Sequence, residues 1–396
     1  TAVGTNSLDG NTTASNNTSL GKSSLGANTT GCENTAIGKD AMLATTTGIR
    51  NVAVGKGALK TNTTGDANVA IGREALGVAT TADNNTSVGF DSMQANTTGA
   101  NNTSMGMCSL FANTTGSNNV ALGLEAGKNI TTGVKNVAIG NYSVHENQTA
   151  EQNVGIGDAA LYQSLAGCNT AIGAEAGNRT TSGFSNVYVG AFAGTLNTTG
   201  KCNVFIGQET GYNNTTAGCN VFLGFKAALA NTTGSTNVAV GRCALKGVTT
   251  GTNNTAIGDF AGADAVANIV DSGSNHIVLG NNNSAVAKIK IDWTVTSDAR
   301  DKMNIENVPH GLNFVNQLNP IKFDFKKSRD NATPHGKTKY GFKAQDIMAL
   351  EGNNPIIIND DDPEHLGYTA ANMVPVLVNA IKELKARIEV LENEWS

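Results

Sequence analysis

Asn51-Val52-Ala53-Val54-Gly55 is followed by Asn68-Val69-Ala70-Ile71-Gly72, 17 residues on, and variants of the pentapeptide recur along the first 260 residues. Aligned on the closing glycine they number sixteen, from Gly4, Gly21 and Gly38 to Gly241 and Gly258. Every step is 17 except Gly157 to Gly173, which is 16. A short fixed period marks one structural rung per repeat, each unable to bury its apolar face alone. Counted from the glycine, position −1 is always aliphatic or Met (Ile37, Val54, Met105), −2 mostly Ala or Ser, and −3 Val or Thr. That alternation is a strand signal.

Other columns are as regular. Position −4 is always Asn (Asn34, Asn51, Asn136), +3 always small (Ala41, Ala58, Ser109), and +10 often a second glycine after Thr-Thr (Gly48, Gly65, Gly116). Glycine admits φ > 0 at corners, the small residue allows a neighbouring backbone close, and Asn in one phase can stack its amides into a ladder. Gly, Thr and Asn are poor helix formers. The expected fold is mainly β: a parallel β-roll or β-solenoid over residues 1–262, with two short strands and two turns per repeat. At about 4.8 Å per rung it spans on the order of 75 Å. One aliphatic column makes a thin core, so three chains are expected to pack −1 aliphatics or +3 small residues around a common axis.

Composition changes near residue 280. All six prolines lie beyond residue 300, and the last 116 residues hold 30 charged side chains against 29 in the first 280. The net charge of −5 offers no overall basic field for nucleic acid. No apolar run reaches the roughly 18 residues of a membrane span. Neither the five histidines nor the six cysteines have metal-site spacing, so no metal or cofactor is expected. Cys32, Cys108, Cys168, Cys202, Cys219 and Cys243 read as free buried thiols rather than a disulfide framework, although Cys202 and Cys219, one rung apart, fall within disulfide reach. The many Asn-x-Thr triplets, such as Asn96-Thr97-Thr98, fit the glycosylation pattern but occupy turn columns, and turn chemistry is the reading taken. The chain opens at Thr1 already in repeat phase, without a leader, so a truncated or processed N-terminus is expected.

On Asn51–Gly55, Asn136-Val137-Ala138-Ile139-Gly140 and Asn237-Val238-Ala239-Val240-Gly241, the array resembles the heads of trimeric autotransporter adhesins. It resembles still more the collar of 17-residue repeats in phage tail-fibre proteins. The likeness covers about two thirds of the chain and implies a fibre that is mechanical and adhesive.

After Gly258 the phase breaks. Asn275-His276-Ile277-Val278-Leu279-Gly280 reads as a terminal rung displaced by 22 residues, and Ile289–Val295 as a lone linking strand; together they occupy 263–295. Then come Ser297-Asp298-Ala299-Arg300-Asp301-Lys302-Met303-Asn304-Ile305, a short amphipathic stretch at 312–318, a strand at 321–325, Gly341-Phe342-Lys343-Ala344-Gln345-Asp346, an acidic turn at 360–362 and a terminal helix at 370–395. Ser297-Asp298 by itself reads as a helix N-cap or turn. The succession over 296–396 resembles the intramolecular chaperone auto-processing domain that ends phage tail spikes, tail fibres and endosialidases. The resemblance implies a domain that trimerises, guides folding of the β-structure upstream, and cuts itself off through a serine–lysine dyad. Carried over, Ser297 is the nucleophile, Lys302 the base and Thr296–Ser297 the cleavage site, with Asp298, Arg300 and Asn304 as motif residues. A serine hydroxyl needs such a neighbour to take its proton, and lysine serves once desolvation or a nearby cation lowers its pKa. Asp301 departs from the aliphatic residue usual in the family, and a carboxylate there opposes deprotonation of Lys302.

Val374, Leu377, Ile381, Leu384, Ile388, Leu391 and Trp395 step 3, 4, 3, 4, a coiled-coil seam, with Arg387 and Glu392 at flanking positions suited to an interchain pair. A helix packed on its own domain is the plainer alternative. Ile at a with Leu at d favours a dimer, but the family is trimeric and a threefold shaft fixes the number. The function expected is a homotrimeric subunit of a phage-like tail or neck fibre. It would assemble in the host cytoplasm, attach to other virion proteins through its N-terminal side, and bind a host-surface receptor, glycan or protein. A bacterial surface adhesin is the alternative; an enzyme acting on polysaccharide is disfavoured, because the shaft shows no carboxylate pair at a repeating spacing.

Overall fold

The computed structural model describes residues 1–264, 269, 271–281, 283–284, 297–328, 331–360, 363 and 366–395. The strand expected over 289–295, Thr296, and Asp361 and Asp362 of the acidic turn lie outside the described residues. One compact unit runs Thr1–Ala263 and takes in Ile269–Gly280; a second holds the C-terminal elements.

The first unit is a parallel β-solenoid. Seventeen short strands, β1 (Ala2–Val3) to β17 (Ile277–Leu279), form one sheet in which each pairs in register with the next. Val52 thus faces Val69 and Ala53 faces Ala70. The 16-residue step keeps this register, Val154 facing Thr170. The 22-residue step does too, Ala256 facing Val278, so Asn275–Gly280 is indeed a terminal rung.

Each rung carries one strand, not the two expected. The far side is a run of turns in which the residues at +2, +4 and −5 adopt left-handed backbone, as do Asp40 (φ 59°), Met42 (52°) and Arg50 (60°). Such conformations are costly for ordinary residues. Here they aim successive N–H groups alternately at the two neighbouring rungs: Asp40 donates back to Lys22 O and Met42 forward to Ala58 O, both at 2.9 Å. The turns thereby form a second hydrogen-bonded track without strand geometry. At −1/0, glycine is required twice over. Gly55 sits at φ 137°, and a Cβ on it would lie 2.4 Å from Gly72 O. The +10 glycines do not turn the chain as expected; Gly48 takes no left-handed φ, but its Cβ would lie 2.6 Å from Gly65 O.

The core also differs from the expectation. The −1 aliphatics are half-exposed, Ile71 at 40 % and Met105 at 52 %, because strand alternation turns them outward with the −3 residues. Inside lie the −2 residues and, unforeseen, the +4 column: Met42, Leu59, Leu76, Met93, Leu110, Leu161 and Leu245 are fully buried. Each such side chain contributes about 1.5–3 kcal/mol. The +3 small residues are buried within the rung as well, so they cannot face another chain, and of the two columns assigned to that role only −1 is available. In three rungs −2 is aromatic, Tyr188, Phe205 or Phe222, all buried. Phe205 stacks on Phe222 with ring centroids 4.8 Å apart. The +4 residues beside them shrink to Gly177, Gly194, Gly211 and Ala228; a Cβ on Gly194 would lie 2.4 Å from the Tyr188 ring. In these rungs volume is conserved across the two columns rather than within either.

The Asn column forms the expected ladder. Asn51, fully buried, donates from Nδ2 to Gly65 O (2.8 Å) and Asn34 Oδ1 (3.2 Å), while its Oδ1 accepts the Asn68 N–H at 2.9 Å. A second ladder at +7 was not foreseen: Asn214 Nδ2 donates to Asn197 Oδ1 and Asn231 Nδ2 to Asn214 Oδ1, each at 2.8 Å. These are the asparagines of Asn-x-Thr triplets, and their burial supports the turn reading. The following threonines hydrogen-bond rung to rung, Thr198 Oγ1 donating to Thr215 O at 3.0 Å. The cysteines depart from expectation. All six are free, and only Cys243 is buried; Cys168, Cys202 and Cys219 are exposed because their shared −5 position is a turn apex.

Candidate functional site

The second unit builds a small α+β core. Helix α1 (Leu312–Gln317), a hairpin of β18 (Ile321–Ser328) and β19 (Asn331–Gly341), helix α2 (Ala344–Glu351), a two-residue pair β20 (Ile358–Asn359) and β21 (Gly367–Tyr368), and helix α3 (Ala370–Glu394) follow in order. Phe314, Ile347, Ile357, Ile358, Met373 and Val376 are buried together, with Phe342 of the Gly341–Asp346 motif packed against them. Side-chain bonds to backbone groups lock these elements. Glu351, closing α2, accepts the N–H groups of Ile356 (2.9 Å), Ile357 (2.8 Å) and Ile358 (3.1 Å). From α3, Glu383 accepts the Leu312 N–H at 2.8 Å and Asn379 donates to His310 O at 2.9 Å. Gly311 leaves room for that carboxylate; a side chain there would overlap Glu383. Sequence reasoning missed these anchors. The one signal was a polar pair four residues apart, Asn379 and Glu383, where the apolar first half of the helix gives way to its charged second half.

The candidate dyad lies where this unit begins. Asp298 caps a single 3₁₀ turn, Ala299–Asp301, its Oδ1 accepting the Arg300 N–H at 2.9 Å. The Arg300 guanidinium folds back on the same carboxylate, with Nη2 to Oδ2 at 2.6 Å. That bond, then the backbone one, holds the Asp298 carboxyl below its usual range and raises Arg300 in turn. The turn closes with the Lys302 N–H donating to Ala299 O at 3.2 Å. One 3₁₀ turn therefore brings residue 302 back over residue 297, and Lys302 Nζ donates to Ser297 Oγ at 2.7 Å. Both side chains are exposed. Asn304 takes left-handed φ, 53°, a conformation Asn tolerates better than most residues. Four of the expected motif residues thus form two contacting pairs, and the fifth shapes the chain leaving the turn. Thr296, whose carbonyl the dyad would attack, is outside the described residues.

Helix α3 presents two faces. Met373, Val376 and Ala380 are buried against the unit's core, so the plainer alternative holds for its first turns. The heptad residues lie on another face and stay open: Leu377 is 40 % exposed, Ile381 66 %, and Trp395, just past the helix, 89 %.

Among the described residues no cluster of His, Cys, Asp or Glu could hold a metal ion, and no helix is long and apolar enough to cross a membrane. No curated protein matches the chain. Residues 297–354, from the serine of the dyad to just past Glu351, match the family described as the chaperone of endosialidase, and it is to that family that the C-terminal unit is similar.

Proposed function

We propose that this chain is the shaft and folding chaperone of a homotrimeric phage-type tail or neck fibre, with shaft 1–262, terminal rung and linker 263–295, and chaperone 296–396. A β-solenoid ahead of a chaperone-of-endosialidase match supports a virion fibre over a bacterial adhesin, because the repeats are common to both and the chaperone is not. Trimerisation is supported by the open heptad face of α3 and by the unbroken line of half-exposed −1 aliphatics. The shaft's role is reach and adhesion to a host surface.

The observation that carries the chemistry is the 2.7 Å contact from Lys302 Nζ to Ser297 Oγ. Ser297 Oγ attacks the carbonyl carbon of Thr296 while Lys302, in its neutral form, takes the hydroxyl proton. Collapse of the tetrahedral adduct breaks the Thr296–Ser297 amide; Lys302 returns the proton to the departing Ser297 nitrogen, and water hydrolyses the resulting ester. A lysine serves as a base only where desolvation disfavours its ammonium form. Lys302 is exposed in the single chain, so cutting awaits the burial that assembly would supply.

Expression in a heterologous host tests this. Wild type should yield two fragments, the smaller starting at Ser297, whereas Ser297→Ala and Lys302→Ala should each give one full-length chain that still assembles. Wild-type trimers that stay intact on long incubation would leave the domain a permanent tip and refute the dyad.

A further inference from the structure

The net charge of −5 conceals a segregation inside the C-terminal unit. Residues 321–343, the β18–β19 hairpin and its exit, carry seven Lys or Arg against two Asp, a net of +5, while residues 344–396 carry three against ten Asp or Glu, a net of −7. None of the hairpin's described residues is buried, and Lys322, Lys337 and Lys339 are exposed. So are two of its aromatics: Tyr340 is 86 % and Phe325 51 % exposed. Lys339 Nζ stands 5.3 Å from the centre of the Phe325 ring, and Phe323 meets Phe325 edge to face at 5.1 Å. A two-stranded hairpin of this length, with open aromatics and no buried face, is marginal without a partner.

We propose that the hairpin of one chain docks on the acidic helical body, residues 344–396, of a second copy. Charge complementarity selects the occupant. The chain carries its own opposite charge in the same small unit, and any assembly of copies brings that charge to high local concentration. Phe325 and Tyr340 supply the apolar centre of the contact and Lys322, Lys337 and Lys339 its charged rim, an arrangement typical of specific interfaces. The charges steer encounter and fix register more than they add affinity. This rests on the reading that the chain assembles with itself.

The test replaces Tyr340 in the full chain with the photo-crosslinker p-benzoylphenylalanine and assembles it from an equal mixture of ¹⁵N-labelled and unlabelled chains. Mass spectrometry should find mixed-isotope crosslinks into residues 344–396. In parallel, Lys337→Glu/Lys339→Glu should slow assembly about tenfold at low salt and flatten its salt dependence. A trimer whose crosslinks stay within one chain, run to residues 1–280 or are missing overturns the proposal alone. So does tight heparin binding by the assembled particle that the double variant abolishes, since the hairpin would then be a free polyanion site. A monomer by light scattering overturns both the proposal and the assembly reading beneath it.

Discussion

Phe205→Ala should be strongly destabilising, and Gly211→Leu should repair it. Phe205 is fully buried, stacked on Phe222 and 5.7 Å from the Tyr188 ring. Truncation removes six carbons from a core that cannot collapse without breaking the rung register, at a cost of about 3–5 kcal/mol. Gly211→Leu alone places a Cβ 2.7 Å from the Phe205 ring and costs about 1–3 kcal/mol by overpacking. Together they restore the Ala/Leu arrangement of the Gly55 rung, where Ala53 and Leu59 are both buried. The backbone already suits leucine: Gly211 has φ 57° and Leu59 has φ 50°. Four added carbons recover about 2–3 kcal/mol, so the pair should couple favourably by at least about 2 kcal/mol. A solenoid need not unfold in one step, so local hydrogen exchange is the assay. The amides of Val204 and Val221, bonded to Asn220 O and Asn237 O, report the rungs concerned. A double variant that exchanges as fast as Phe205→Ala, or a Gly211→Leu that exchanges like wild type, would refute volume sharing between the −2 and +4 columns.

Asn136→Ala should cost about 1–3 kcal/mol per chain and speed exchange at Asn153, whose N–H bonds Asn136 Oδ1 at 3.0 Å; unchanged exchange there would count against the ladder. Ile381→Asp should weaken self-association while leaving the repeat region folded, read by light scattering and circular dichroism, whereas an unaffected trimer would show the heptad face to be idle. The Asp298 carboxyl should titrate below its ordinary value of about 3.9 by carbon NMR and return towards it in Arg300→Ala. Because its folded pKa is depressed, the cap it supplies is present above that ordinary value and lost as pH falls through the folded one. Expression in a glycosylating eukaryotic host should leave Asn96 and Asn214 unmodified by glycopeptide mass spectrometry, their amides being buried.

The rung period, the strand's place in the repeat and the Asn ladder were legible because each depends on a narrow set of residue types held in fixed columns. The +4 core column was not. Its Met42 and Leu59 alternate with Gly177, Gly194 and Gly211, and that mixture makes sense only once Tyr188 and Phe205 are seen filling the space from −2. The left-handed turns were hidden for a related reason. Asp40, Met42 and Arg50 have no shared preference for that backbone; inter-rung hydrogen bonds impose it. At the C-terminus the spacing of Ser297 and Lys302 means little as sequence alone, since a gap of five suits no regular helix face. It is Asp298, by closing a 3₁₀ turn, that converts the gap into contact. Asn379 and Glu383 answer backbone groups about 70 residues away, a relation no local pattern encodes.

Most bonds in the solenoid join a rung to the matching segment of the next one, and this makes length an inheritable quantity that can be edited. Removing Lys39–Gly55 would join two rungs whose donors and acceptors already match, shortening the rod by about 4.8 Å; a duplication would lengthen it by as much. Unequal recombination between repeats of equal length would keep such changes in frame. A lineage carrying this chain can thus change how far its shaft extends without first inventing a new core.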